Sequence, residues 1–315
     1  MRVRRATPAD VDALVDFPHD PGVIGLPDGQ VRADFETGRM RPEWSWVLEE
    51  EGRLLGRALW WGRGDTVPSV LDALDVLPEV HDPRAAAVEL LRGGHADLAA
   101  SGKQQLPPYT LRLPAGWRAD ARATRAATWP REATSDVGLT ASLERRQYAW
   151  TPANGVPGIS TRAAFRRGSN DEFVELFREA ARGSLDVGTR QALESTDELS
   201  QAKEDLEFYE SCPGERDWWR VATDRDGVPV GFIVPSATPY HRNVGYLAVL
   251  PSHRGQGLVD DLLGEVTRIH AEAGAERITA TTDMTNLPMA AAFDRASYQV
   301  TEVRLVLEAA PSRAT

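Results

Sequence analysis

Cysteine is almost absent from this sequence, because Cys212 is the only one among 315 residues. A lone cysteine excludes an intrachain disulfide and any metal site built from several cysteines, so nothing requires an oxidising compartment. Long apolar runs are also missing, since no stretch approaches the roughly 18 uninterrupted apolar residues of a membrane helix, and no long apolar run follows the first arginines. We therefore expect a cytoplasmic protein that has no metal and does not contact a membrane.

Basic residues are fewer than acidic ones, 36 against 47, which gives a formal net charge of −11. A negative surface opposes binding to nucleic acid and to anionic lipid, so neither is an expected partner. The hydrophobic fraction of 42% becomes about 48% when the 26 Gly are added and the 6 Tyr removed, which is in the range of globular proteins. Because a single core stops growing near roughly 250–300 residues, the length favours two domains.

An internal repeat supports the division into two domains. Two segments, 44–61 and 218–234, each resemble a strand, a tight turn and a second strand. Three landmarks recur at offsets between 172 and 175 residues: Gly52 and Gly56 as Gly227 and Gly231, Val76-Leu77-Pro78 as Val249-Leu250-Pro251, and Leu90-Leu91 as Leu262-Leu263. The turn-rich stretch 150–160 suggests the boundary. We predict tandem domains at 1–150 and 158–315.

Strand and helix patterns alternate in the second domain, which predicts an α/β fold around a mixed sheet. Residues 169–182 and 195–210 are predicted helices before the hairpin. After the hairpin we expect strands at 243–250, 277–282 and 300–307, with helices at 258–273 and 288–295 between them. The repeat implies the same fold for the first domain.

The most informative stretch is an apolar strand that runs through Arg254-Gly255-Gln256-Gly257-Leu258-Val259 directly into a helix. Such a turn presents backbone N–H groups at the positive end of a helix dipole, which suits a phosphate or diphosphate. The glycines permit close approach of a ligand, and Arg254 adds a cation. An ordinary strand-to-helix turn punctuated by glycine is the other interpretation.

The context of this turn resembles the GCN5-related N-acetyltransferase (GNAT) superfamily. Its acyl-CoA motif follows a strand that commonly ends in Leu-Ala-Val, here Leu247-Ala248-Val249, and Val259 is the one departure from a small residue at the final motif position. A second family signature, Asn-x-x-Ala-x-x-Leu-Tyr-x-x-x-Gly-Phe/Tyr, is resembled downstream by Asn286, Met289, Ala292, Phe293, Ser297 and Tyr298. The resemblance covers about residues 160–308 and implies two tandem acyl-CoA N-acyltransferase-like domains.

The resemblance implies acetyl-CoA as the cosubstrate. It assigns binding of the cosubstrate to one set of residues: Leu247, Val249, Arg254, Gly255, Gln256, Gly257, Leu258, Val259, Asn286 and Phe293. The pantetheine arm would pair with Leu247 and Val249 like an extra strand. The N–H of Val249 would polarise the acetyl carbonyl.

The proton-transfer step has more than one candidate residue. Many family members use a tyrosine as general acid at the position of Phe293, which cannot donate a proton. Tyr246, Tyr240 or a water molecule could act instead. Asp283 and Tyr246 are the candidate general bases, with His241 as a further one; Tyr246 and Asp283 are therefore the predicted catalytic residues.

The leading function is transfer of acetyl from acetyl-CoA to a primary amine of a small molecule by direct attack. An acyl-CoA-binding accessory or regulatory protein is the alternative, suggested by Phe293, and acylation of protein N-termini or lysines is a third. The first domain lacks Gly-x-Gly between Pro78 and Leu91 and has Asp82 there. It resembles a degenerate copy that would pack against the second domain, wall the substrate cleft or support a homodimer.

Overall fold

The computed structural model describes residues 1–64, 67–102 and 105–310, which divide into two compact units. Unit 1 contains Met1–Arg145 and the described residues from Glu302 onward, and unit 2 contains Arg146–Thr301. The strands are β1 Arg2–Arg5, β2 Trp46–Glu50, β3 Arg53–Trp61, β4 Val70–Val76, β5 Tyr109–Leu113, β6 Ala141–Trp150, β7 Ala164–Arg166, β8 Arg220–Thr223, β9 Pro229–Ala237, β10 Arg242–Val249, β11 Ile278–Asp283 and β12 Gln299–Glu308. The helices are α1 Val11–Val15, α2 Gln30–Glu36, α3 Pro83–Ala100, α4 Ala121–Asp136, α5 Asn170–Ala181, α6 Val187–Ala192, α7 Glu198–Ser211, α8 Leu258–Glu272 and α9 Leu287–Arg295. Within these described ranges, no helix combines the length and apolar character that crossing a bilayer requires.

The sheet of unit 1 has the strand order β1-β2-β3-β4-β5-β12. Its last strand comes from the end of the chain, because residues 303–307 of β12 pair antiparallel with Leu113–Tyr109 of β5. The predicted second domain, 158–315, had included this strand. Its assignment to unit 1 follows from long-range pairing, which an alternating apolar pattern does not specify.

The sheet of unit 2 has the order β6-β11-β10-β9-β8-β7, with β10 and β11 parallel and the pairs from β7 to β10 antiparallel. One buried cluster joins α5 and α7 to this sheet through Phe232, and a second joins α8 and α9 to it through Ile233. Neighbouring strand residues enter different clusters because side chains alternate between the faces of a sheet. The mixed α/β class predicted from the sequence is confirmed.

The predicted repeat corresponds to a contact that each unit makes within itself. In unit 1, a Cβ built on Gly56 lies 3.4 Å from Leu90 Cδ1, and in unit 2 a Cβ built on Gly231 lies 3.0 Å from Leu262 Cδ2. Gly231 has no room for a side chain, since that Cβ would also lie 2.5 Å from the Ala248 carbonyl oxygen. The same glycine therefore lets the same helix approach its hairpin in both units.

The helices of unit 2 follow the predicted pattern with two differences. Ser169 caps α5 by accepting from the Glu172 N–H at 3.2 Å, as its position predicted. Helix α7 begins later than the predicted Ser195, because Asp197 provides the cap. Helix α6 was not predicted, since its six residues are too few to show an apolar period.

Candidate functional site

Strands β10 and β11 of unit 2 pair over a short distance and then part. Their parallel register joins Arg242 to Ile278 and Asn243 to Thr279. Beyond that point, the pairing of β10 with β9 is shifted by a bulge that contains Gly245, whose φ is +69°. A Cβ at Gly245 would lie 2.0 Å from the Val234 carbonyl oxygen, so the bulge requires glycine. The remainder of β10 borders an opening between the two strands.

The backbone groups that face this opening can be identified from the alternation of the strand. The N–H of Leu250 donates to the Val230 carbonyl on β9 at 2.9 Å. Because backbone groups of successive strand residues point to opposite sides, those of Val249 and Leu247 point away from β9. This is the orientation that the predicted pairing with a pantetheine arm needs.

The predicted phosphate turn follows β10 and leads into α8. Gly255 and Gly257 have φ values of +78° and +75°, a left-handed conformation that favours glycine, and Gly257 is the N-cap of α8. Leu258 is buried and Val259 half-buried, so their backbone N–H groups, rather than their side chains, are the features available to a ligand. Exposed glycines before a helix N-terminus leave backbone N–H groups that can donate to an anion.

Arg162 braces this turn and was not predicted. Its guanidinium donates to the carbonyls of Gln256 at 3.0 Å and Gly257 at 2.9 Å, and it pairs with Asp261 at 2.5 Å. In a trans peptide the N–H points opposite to the C=O, so the amides of Gly257 and Leu258 point away from Arg162. Arg162 thereby orients donors toward a ligand on the other side. No local sequence pattern predicts a hydrogen bond between residues that lie 94 positions apart, as Arg162 and Gln256 do.

The Arg254 side chain is bound to backbone, whereas its predicted role was that of a cation for phosphate. Its guanidinium donates to the carbonyls of Ala180 at 2.8 Å, Arg182 at 2.8 Å and Gly183 at 3.0 Å. Its Nε also donates to the Val249 carbonyl at 3.2 Å. The backbone of the turn, rather than this side chain, is therefore the part directed at an anion.

Tyr246 lies half-buried on β10, one residue before Leu247. Its ring is 5.1 Å from that of Phe177 and 5.9 Å from that of Tyr209. Burial raises the pKa of the Tyr246 phenol, and the negative charges of Asp205 and Asp186 raise it further. The phenol therefore stays protonated near neutral pH, which suits a general acid and not a base.

Two residues near Tyr246 were missed by the sequence analysis. Burial raises the pKa of Asp205, although a hydrogen bond from Gln201 at 2.9 Å opposes this. Burial likewise raises the pKa of the Tyr209 phenol. Both residues lie on α7, and only the fold brings that helix to β10. An amphipathic helix pattern alone carries no signal for such a neighbourhood.

Asp283, the other predicted catalytic residue, is only 1% exposed. Its Oδ2 accepts from the N–H of Val187, the first residue of α6, at 2.7 Å. Of the further candidates, His241 and Tyr240 are exposed in the loop before β10. The structure thus brings Asp283 to a backbone amide at the end of β11.

Asn286 and Phe293, predicted from the second family signature to bind the cosubstrate, make contacts within unit 2 that stabilise its fold. The Asn286 side chain caps α9 by accepting from the Met289 N–H at 3.3 Å. Phe293 is 2% exposed and stacks on Tyr148 with the ring centroids 4.5 Å apart. Phe293 therefore contributes to the core of unit 2.

The corresponding region of unit 1 has different chemistry. The carboxylate of Asp82 caps α3 by accepting from the Ala85 N–H at 2.9 Å, which puts negative charge at the helix N-terminus. Strands β4 and β5 are parallel, with Leu71 opposite Tyr109. Beyond that pair, the Arg112 guanidinium bonds to the Asp72 side chain and to its carbonyl. By the sequence repeat, β4 and α3 of unit 1 correspond to β10 and α8 of unit 2.

Comparison with known proteins supports the resemblance. Residues 186–298 match the model of the Acetyltransferase (GNAT) family. A comparison with curated proteins found no match. A solved GCN5-related N-acetyltransferase from Sphaerobacter thermophilus is similar over 100% of this chain and 98% of its own, with a TM-score of 0.64 and 16% identity.

Two further solved structures share the fold at lower similarity. One is a glucosamine N-acetyltransferase region in a fungal multi-domain β-N-acetylglucosaminidase, with a TM-score of 0.55, 12% identity and coverage of 97% of this chain and 38% of that one. The other is a functionally unknown protein from Staphylococcus epidermidis, with a TM-score of 0.51, 12% identity and coverage of 84% and 94%. Residues 186–298, which contain the parted strands and the glycine turn, match the GNAT acetyltransferase family model, and the solved structures show the same fold.

Proposed function

We propose that this chain transfers an acetyl group from acetyl-CoA to a primary amine of a small molecule, at the opening between β10 and β11 in unit 2. The observation that carries this proposal is the end of the β10–β11 pairing at Asn243 and Thr279, followed directly by the glycine turn. One strand edge thus leads from a place for the thioester to a place for the diphosphate.

In this proposal the backbone performs most of the binding. The N–H and C=O groups of Leu247 and the carbonyl of Val249 pair with the pantetheine arm as an added strand would, which leaves the Val249 N–H for the acetyl carbonyl. The turn from Gly255 to Val259 donates to the diphosphate at the positive end of α8. The neutral amine attacks the thioester carbonyl, whose developing negative charge the Val249 N–H stabilises. The C–S bond then breaks, the CoA thiolate takes the Tyr246 proton, and the proton lost by the amine nitrogen returns to the Tyr246 phenolate through water.

Tyr246 is the proposed general acid for the departing thiolate. It lies next to the strand segment that binds the arm, and burial keeps its phenol protonated. Phe293, which stands where many family members have a tyrosine, is packed against Tyr148 and has no proton to give. One general acid is typically worth roughly 100- to 10,000-fold in rate, and because CoA thiolate is a fairly good leaving group, loss of that acid need not abolish turnover.

A cationic amine is the proposed class of acceptor. The net charge of −11 raises the local concentration of cations at the surface. Asp205 and Asp186 add carboxylates on the side of β10 where Tyr246 lies.

The first prediction follows from this assignment. Thiol release from acetyl-CoA should accelerate with spermidine, kanamycin or glucosamine, and mass spectrometry should detect the acetylated amine. A set of peptides with free N-termini or lysines serves as the matched comparison, because protein acylation is the competing acceptor class. Acetylated peptide without any acetylated small amine would contradict the proposed acceptor.

An accessory protein that binds acyl-CoA without catalysis is the second candidate, favoured by the buried phenylalanine at position 293. Tight calorimetric binding of acetyl-CoA with no thiol release across the whole panel would select it. For unit 1 we propose a degenerate copy, supported by Asp82 at the N-terminus of α3 and by the Arg112–Asp72 pair.

A further inference from the structure

Arg254 and Asp283 hydrogen-bond to the two ends of one segment, residues 182–187, which connects α5 to α6; these two sets of hydrogen bonds are called the grip. Arg254 binds its beginning through the carbonyls of Arg182 and Gly183. Asp283 binds its end through the N–H of Val187. Sequence reasoning had assigned these two side chains to cosubstrate binding and to catalysis.

The grip of Arg254 uses the specific shape of arginine. The last carbonyls of a helix lack partners within the helix and carry partial negative charge, so a cation there is favourable. Arg254 donates to the carbonyl of Ala180 in the last turn of α5 and to the carbonyls of Arg182 and Gly183, the two residues after the helix. Gly183 has a φ of +63°, and a Cβ there would lie 3.3 Å from Arg254 Nη1, so glycine permits this close approach.

The same guanidinium is tied to the opening. Its Nε donates to the carbonyl of Val249, the last residue of β10, which points away from β9. Arg254 therefore joins the end of β10 to the beginning of the 182–187 segment. An ammonium group has fewer donors and no planar fork, so lysine cannot make these bonds together.

The grip of Asp283 comes from the other strand. Asp283 is the last residue of β11, and its carboxylate is almost fully buried. A buried carboxylate needs hydrogen bonds in place of water, and the amide of Val187 supplies one at 2.7 Å. Hence the 182–187 segment is attached to β10 at one end and to β11 at the other.

We infer that Arg254 and Asp283 are positioning residues, which hold the 182–187 segment across the ends of the two parted strands as a wall of the opening. The segment is also ordered internally, since the Asp186 N–H donates to Ser184 Oγ at 3.1 Å and Asp186 accepts from the Thr189 N–H at 2.7 Å. Leu185, between these anchors, is 47% exposed. The inference rests on the proposed function for what the opening binds.

Hydrogen exchange of the intact protein tests the grip without knowledge of the acceptor. Amides of residues 182–187 should exchange roughly tenfold faster in Arg254→Ala and in Asp283→Ala, as expected when one or two hydrogen bonds are lost. Arg254→Lys should resemble Arg254→Ala, whereas Asp283→Asn should stay protected, because its amide oxygen still accepts from Val187. Arg167→Ala, which removes an exposed arginine of the same unit paired with Asp217, is the control and should not change the exchange.

Each opposing role gives a different result. A phosphate-binding Arg254 predicts that lysine retains the acetyl-CoA affinity lost in Arg254→Ala, with exchange of 182–187 unchanged in both. If Asp283 were a general base, Asp283→Asn would lose thiol release while the amides of residues 182–187 kept parental exchange rates. Thiol release is measured here with the panel amine that the parent acetylates fastest. Either result, or parental exchange in both alanine variants, overturns the inference. If the parent acetylates no amine, the proposed function fails, and the exchange data still decide the inference.

Discussion

Replacing Gly257 with aspartate should weaken acetyl-CoA binding by more than about 100-fold, or about 3 kcal/mol. Gly257 has a φ of +75°, which a residue with a Cβ adopts only with strain. Its built Cβ lies 3.2 Å from Arg162 Nη1, so the new side chain would disturb the brace on the turn. The carboxylate would also place negative charge where the diphosphate is expected to bind.

The matched control for this variant is Gly274→Asp. Gly274 follows the other end of α8, has a φ of +76° and has open space around its built Cβ. It therefore receives the same charge and the same backbone strain, far from the turn. Calorimetry should give near-parental affinity for Gly274→Asp. Equal losses in both variants would mean that the effect comes from general destabilisation and not from the turn.

Replacing Tyr246 with phenylalanine should lower kcat by about 100-fold or more while KM for acetyl-CoA stays steady. The substitution keeps the ring in its contacts with Phe177 and Phe232 and removes only the hydroxyl. Burial raises the pKa of this phenol, so the parent should keep its acid protonated across about pH 6 to 9. The rate of the parent should accordingly not fall within that pH range through deprotonation of Tyr246.

Tyr209→Phe is the matched control for the general acid. It removes another buried hydroxyl from the same aromatic cluster, on α7 rather than on β10. We expect its kcat to change far less than that of Tyr246→Phe. If the two variants lost activity equally, or if Tyr246→Phe remained as active as the parent, Tyr246 would not be the acid.

The elements with local signals could be predicted from the sequence. The two hairpins, the Ser169 cap of α5 and the glycine turn before α8 all follow from turn residues, caps and apolar periods that lie within a few residues of each other. Helix α6 is too short to have such a signal, and the place of β12 beside β5 depends on pairing between residues about 190 positions apart.

In the candidate site too, features with a local sequence signal could be predicted and long-range contacts could not. The positions of Leu247, Val249 and the turn are properties of the backbone, and one continuous motif predicts them. The side chains of Arg254 and Asp283 were assigned by residue type, yet the carbonyls and the amide that they bind, apart from the Val249 carbonyl, lie 71 to 96 residues away. Arg162 and Asp205 were missed because no local pattern indicates what a surface arginine or a helix carboxylate will contact in the folded chain.

The most direct test of the account is a calorimetric titration of the full chain with acetyl-CoA. We predict one site per chain, lost in Gly257→Asp and retained when Arg84, which follows the Asp82 cap of α3 in unit 1, is replaced by aspartate. Two comparable sites, or binding that survives Gly257→Asp but is lost in Arg84→Asp, would contradict the assignment of acetyl-CoA to the turn of unit 2.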